Sequence, residues 1–133
     1  MNKRKAAAIR LKIEKAKKIM EETDVLIQNH FYTTLISRLY YSCFHATKAL
    51  LLTKDLIPKT HKGVFIMLYE HFVKENLFDN NYASFFNMLM QERIKGDYDD
   101  DLITNYDEVG GFIEPAKQYV QYVEKLINEA DIS

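Results

Sequence analysis

Leu35-Ile36-Ser37-Arg38-Leu39-Tyr40-Tyr41-Ser42-Cys43-Phe44-His45-Ala46-Thr47-Lys48-Ala49-Leu50-Leu51-Leu52 is the stretch on which the reading of this 133-residue chain turns. Leu35, Leu39, Cys43, Ala46 and Leu50 recur at helical spacing, and Ile36, Tyr40, Phe44, Thr47 and Leu51 form a second row beside them. Two adjacent apolar rows leave little of the helix circumference for water. The stretch therefore predicts a central helix covered by its neighbours, capped by Thr33 or Thr34 and running to about Leu52. One polar strip interrupts it. Arg38 and His45 lie seven positions apart, a rotation of about 700°, which leaves them about 20° apart on one face and roughly 10 Å apart along the axis. Tyr41 and Ser42 flank that strip.

On the N-terminal side, Ile9, Ile13, Ala16 and Met20 step by four, three and four among Lys, Arg and Glu, which predicts an amphipathic helix over about 3–29. On the C-terminal side, Pro58 breaks the chain. Thr60 then caps a third helix with Val64, Phe65, Leu68, His71 and Phe72 at helical spacing, ending near Asn76. A fourth helix over about 79–95 sets Tyr82, Phe85, Phe86, Leu89 and Met90 on one side, with Gly96 expected to stop it and an acidic loop to follow over 97–101. The last helix is expected from near Thr104, with Phe112, Ala116, Tyr119, Val120, Val123, Leu126 and Ile127 buried and a kink or late start at Pro115. About five helices joined by short loops predict an all-α, up-and-down bundle forming a single domain over 1–133.

Composition agrees: 47% hydrophobic and 28% charged residues with only four Gly and two Pro exclude disordered, collagenous and turn-rich all-β chains. A net charge of −1 gives no global pull toward polyanions, so an anionic partner must be held by a local arrangement. The charge is uneven. Residues 1–18 carry eight Lys or Arg against Glu14 alone, whereas residues 96–133 carry ten acids against Lys117 and Lys125, so the first and last helices are expected to lie together. Cys43 has no partner for a disulfide, and no leader-like or bilayer-length apolar run is present, which points to the cytoplasm and away from membranes.

Several chemistries lack a sequence basis. No Gly-rich phosphate loop, His-Glu-x-x-His or paired Cys occurs, and His30, His45, His61 and His71 are not spaced as ligands on one helix, so neither a metal nor a cofactor is expected. Arg and His are instead the pair that metal-free phosphodiester cleavage requires. Imidazole moves a proton near neutral pH, and guanidinium holds the phosphate and stabilises its transition-state charge. The bland alternative for Arg38 is a structural ion pair, with Glu92 or Asp97 as partner. Tyr41 and Ser42 are candidate substrate contacts beside the strip, and Tyr41 alternatively edges an aromatic cluster. His61 and Lys62 in the first turn of the third helix are candidate anion contacts at a helix N-terminus. Arg93 and Asp97, with Tyr98, read as a salt bridge and loop anchor.

At these residues the chain resembles the HEPN superfamily, the nucleotide-binding domains of higher eukaryotes and prokaryotes, and within it the small stand-alone prokaryotic branch. The resemblance rests on Ser37-Arg38-Leu39-Tyr40-Tyr41 followed by Phe44-His45-Ala46 and Ala49-Leu50-Leu51, on Lys59-Thr60-His61-Lys62-Gly63-Val64, and on Glu92-Arg93 followed by Asp97-Tyr98. The family's signature is an Arg followed after four to six residues by a His, and Arg38 and His45 satisfy it. The resemblance implies a helical bundle, usually a homodimer with two motifs facing each other. It implies a metal-independent ribonuclease of toxin type, encoded beside a nucleotidyltransferase antitoxin, with Arg38 on phosphate and His45 as acid or base. Leu39 stands where nucleolytic members often carry a polar residue. Two alternatives accompany that departure: a module that binds a nucleotide or RNA without cutting it, and a structural dimeric partner of a nucleotidyltransferase.

Overall fold

The computed structural model describes residues 2–98, the side chain of Tyr98 excepted, and residues 105–130. Five α-helices span Lys3–Gln28 (α1), Leu35–Leu52 (α2), His61–Leu68 (α3), Asn80–Tyr98 (α4) and Ile113–Glu129 (α5), and the described residues contain no strand. The protein is all-α, as the periodicity predicts.

Helix α2 is the axis of the bundle and packs against each of the other four. Both of its apolar rows are buried, with Leu35, Leu39, Tyr40, Cys43, Ala46, Ala49 and Leu51 wholly inaccessible. Helix α1 runs antiparallel to it: Ser42 Oγ donates to the Ala16 carbonyl at 2.7 Å at mid-length, and Lys5 Nζ donates to the Thr53 carbonyl at the far end. Helix α5 runs parallel to α2, since Cys43 meets the Ala116 carbonyl and Thr47 shares a 2.7 Å hydrogen bond with the Tyr119 hydroxyl one turn further on. The expected attraction between first and last helices is present. Lys17 pairs with Glu124 at 3.0 Å, Lys117 with Asp24 at 3.3 Å, and Arg10 donates to Asn128.

The helix ends explain how so few glycines suffice. His30, Asp55 and Asn76 adopt φ of 59°, 61° and 58° just past helical segments. In each case the next amide closes back onto the preceding turn: Phe31 onto Leu26, Leu56 onto Leu51 and Leu77 onto Phe72. These are left-handed terminations of the kind glycine usually supplies. At the N-termini, Asn2 accepts from the Lys5 amide and Thr60 accepts from the Gly63 amide at 2.8 Å. Thr34 occupies the cap position of α2 without a side-chain cap bond, so the expected threonine cap there is not made by that residue.

Three register expectations change. Helix α4 passes through Gly96 and includes Asp97 and Tyr98, because Arg93 Nη1 bonds Asp97 Oδ2 at 2.9 Å across the glycine and holds the last turn closed. Residues 99–104, including Thr104, lie outside the described residues. The final helix starts at Ile113 after two 3₁₀ turns, Tyr106–Glu108 and Gly110–Phe112. Pro115 thus falls in its first turn, where no intrahelical N–H is needed, and no kink is required. Finally, α3 runs into a π-helical segment, Tyr69–Val73, whose wider turn advances the frame. Phe72 is buried while His71, expected on the apolar face, is exposed.

Candidate functional site

Arg38 and His45 emerge on one side of α2, where α1 passes at its antiparallel tilt. They line an open groove of about 440 Å³ with Tyr41, facing Lys15, Lys18, Ile19 and Glu22 of α1. The groove exists because α2 has only this strip not covered by apolar neighbours, and α1 presents its charged flank there. Arg38 is bonded at 2.8 Å to Glu22 Oε2, and both side chains are partly exposed. The expected carboxylate partners, Glu92 and Asp97, are not the ones used. Asp97 is held by Arg93, and Glu22 lies on a helix that the pattern around Arg38 does not point to.

His45 is half-buried against Tyr41 and Phe44, with ring centroids 6.3 and 5.4 Å away. Burial pushes its imidazole down to about 4, and the cations Lys15, Lys48, Lys12 and Arg38 act in the same direction. At neutral pH it is therefore an uncharged base in a cationic groove. An anion in the groove would oppose those cations and raise its basicity.

Ser42 does not reach this groove. It is completely buried and its hydroxyl is committed to α1, because its position on the helix turns it toward Ala16. Tyr41 does reach it, and its ring also meets His61 edge-on at 5.8 Å. A second polar-aromatic patch therefore continues around α2. The Thr60 cap fixes the start of α3 and sets His61 over Phe44, with centroids 4.4 Å apart, while His61 Nδ1 shares a 2.8 Å hydrogen bond with the Tyr40 hydroxyl. Burial lowers the basicity of His61, and Arg93 and Lys48 add to that effect.

Arg93 spreads its guanidinium over Tyr40 and Tyr41 at 5.1 and 5.7 Å and pairs with Asp97. Its Nε is buried without a hydrogen-bond partner. Lys62 is exposed in the first turn of α3. Tyr98 lies in the last turn of α4, and its side chain is outside the described residues.

Sequence reasoning missed the α1 side of the groove. The signal was present: Lys12, Lys15 and Lys18 recur every three residues, which keeps them near one face of a helix whose opposite face is apolar. Among the described residues, no three His, Cys, Asp or Glu side chains converge as a metal site, and no helix is long and apolar enough to cross a membrane.

A helical bundle with an Arg and a His two turns apart on its central helix is the arrangement that the resemblance to the HEPN class of domains leads one to expect. The chain belongs to that family: the HEPN domain model matches residues 9–131. Among similar proteins, one from Methanocaldococcus jannaschii named "Putative toxin MJ0605" is 34% identical over 129 residues, covering 97% of this chain and 96% of that protein. A second protein of the same organism, "Putative toxin MJ0142", is 42% identical over 87 residues, 65% of this chain and 59% of that protein. A UPF0332 protein of Thermotoga maritima is 28% identical over 115 residues, 86% of this chain and 87% of its own length.

Proposed function

We propose that the protein is a metal-independent endoribonuclease and the toxin-like member of a two-gene pair whose antitoxin is a small nucleotidyltransferase. In this reading it acts as a homodimer in which two copies of the groove form a composite site. The observation that carries the reading is the groove itself, in which Arg38, an uncharged His45 and α1 lysines face one open space. The toxin names of the two archaeal relatives agree with it.

In the reaction, the ribose 2′-oxygen attacks the adjacent phosphorus and the bond to the 5′-oxygen breaks. His45 takes the 2′-hydroxyl proton, and one is delivered to the leaving 5′-oxygen by water or by the second subunit's imidazole once bound phosphate has raised its basicity. Arg38 pairs with the phosphoryl oxygens as charge builds on them. Side chains on a helix lean toward its N-terminus, so His45 leans toward Arg38 while Arg38 leans away, which favours a phosphate lying between them.

A second reading is a module that binds RNA or a nucleotide without cutting it. It is favoured by the complete burial of Leu39, which removes the residue after Arg38 from the groove, and by the engagement of Arg38 with Glu22.

Incubating the purified protein with single-stranded RNA and tRNA in EDTA separates the two. Cleavage to 2′,3′-cyclic phosphate ends is expected, reduced by about 100-fold or more in Arg38→Ala and in His45→Ala with helicity retained. Binding without cleavage overturns the ribonuclease in favour of the second reading. Neither cleavage nor binding, with both substitutions dissolving a dimer, leaves a structural partner protein.

A further inference from the structure

The α1 lysines divide by direction. Lys5 and Lys17 are held by Asp55 and Glu124, whereas Lys12, Lys15 and Lys18 have no ion pair among the described residues, and neither has Lys48 on α2. Lys15 and Lys18 line the groove. Lys12 and Lys48 extend it past His45, away from Arg38: both add to the field that lowers the His45 basicity, and Lys48 itself is less basic than usual through burial and the charges of Lys12 and Lys15. Glu22 in the groove is already bonded to Arg38, and Glu14 and Glu21 border Lys15 and Lys18 on the outer flank without an ion pair to either among the described residues, so positive charge is in excess along the groove and a polyanion offsets its cost. From residue 38 to residue 48 the α2 edge is about 15 Å long, and the α1 edge from residue 12 to residue 18 is about 9 Å. At the roughly 3.4 Å axial spacing of phosphates in a stacked strand, 15 Å accommodates about four. Glu22 closes the Arg38 end of this strip by occupying the guanidinium.

We propose that the α1–α2 groove is a track for the backbone of a single-stranded RNA of about four nucleotides, carried by Lys12, Lys15, Lys18 and Lys48, with Glu22 as a carboxylate latch on Arg38. This rests on the reading of the groove as the RNA site, and it adds what selects the ligand. A single phosphate gains too little to displace Glu22 from Arg38. A strand already held by several lysines brings its phosphate to Arg38 at high local concentration and displaces the carboxylate. The site therefore discriminates by chain length, favouring oligonucleotides over mononucleotides or inorganic phosphate.

The test measures binding of 5′-phosphorylated 2′-O-methyl oligonucleotides of one to eight residues, which carry one phosphate per residue, lack the attacking hydroxyl and cannot be cleaved by this route, in EDTA at several salt concentrations. Affinity is expected to climb with length to about four residues and then level off. With four neutralised phosphates and about −0.7 per phosphate on the logarithmic salt plot, the tetramer should lose about 50-fold in affinity between 50 and 200 mM salt. Lys15→Gln and Lys18→Gln, at exposed positions that leave the fold undisturbed, should each reduce the slope by about 0.7, whereas Lys125→Gln, exposed on α5 and outside the groove lining, should not. Glu22→Gln should strengthen mononucleotide binding several-fold and the tetramer less. Affinity independent of length, or lysine variants with the wild-type slope, would overturn the track. Because the ligand cannot be cut, length-dependent binding without cleavage of ordinary RNA sinks the ribonuclease and keeps the track. Cleavage with unchanged KM in the lysine variants does the reverse.

Discussion

His45 is a half-buried imidazole with Lys12, Lys15, Lys48 and Arg38 as charged neighbours, and its basicity falls to about 4. That displacement has a measurable thermodynamic consequence. An unfolded histidine takes up its proton near 6.5, so between 6.5 and about 4 the unfolded chain binds more protons at this position than the folded one. Its contribution to stability is intact above 6.5 and is lost as the pH falls toward 4. Thermal melting of the wild type and of His45→Gln from pH 8 to pH 4 should therefore show a shallower decline in the variant. Parallel curves would mean that the imidazole is not held in its uncharged form. Arg38 and His45 were visible in the sequence because they are polar on a helix that is otherwise apolar. Glu22 was not, since nothing local to Arg38 indicates which neighbouring helix will face it. The assignment of Ser42 to the strip failed for a similar reason: a hydroxyl at the border of a stripe reads alike whether it faces solvent or donates to a neighbouring helix carbonyl, as it does to Ala16.

Among the elements, the short helix α3 depends most on one local arrangement. Its amino end rests on the Thr60 hydroxyl, and a Cβ added at Gly63 would lie 2.8 Å from that oxygen and 3.3 Å from Pro58. Gly63→Ala should push Thr60 off the Gly63 amide and cost about 1 kcal/mol despite the higher helix propensity of alanine, with Thr60→Ala costing a similar amount. Urea denaturation of both variants checks this, and a stabilised Gly63→Ala would contradict the close packing of the cap. The existence and apolar faces of all five helices were legible because burial imposes a 3.6-residue period on each. Their ends were less so. Glycine is a weak stop signal when an ion pair bridges it, as Arg93 and Asp97 do over Gly96. A π turn adds a residue that no periodic pattern anticipates, and it is this turn that exposes His71 while keeping Phe72 inside.

At the scale of the molecule, opposite charge on the first and last helices ties α1 to α5 on one side, and α1 presents unpaired lysines to α2 on another. One helix thus serves the fold with one flank and, in the reading proposed above, leaves the other for a polyanion. The uneven charge along the chain disclosed the first role. The second required the antiparallel pairing of α1 and α2, which sets the lysines opposite His45. The account turns on phosphate entering between Arg38 and His45, and a titration of the His45 imidazole by NMR reports on that event directly. With a saturating 2′-O-methyl tetranucleotide, the His45 titration should move from about 4 upward by at least one unit as phosphate counters its cationic neighbours. The ring resonances of His30 and His71, exposed elsewhere on the bundle, should not be displaced when the oligonucleotide is added. A His45 titration unchanged by the oligonucleotide would contradict the assignment of this groove to RNA.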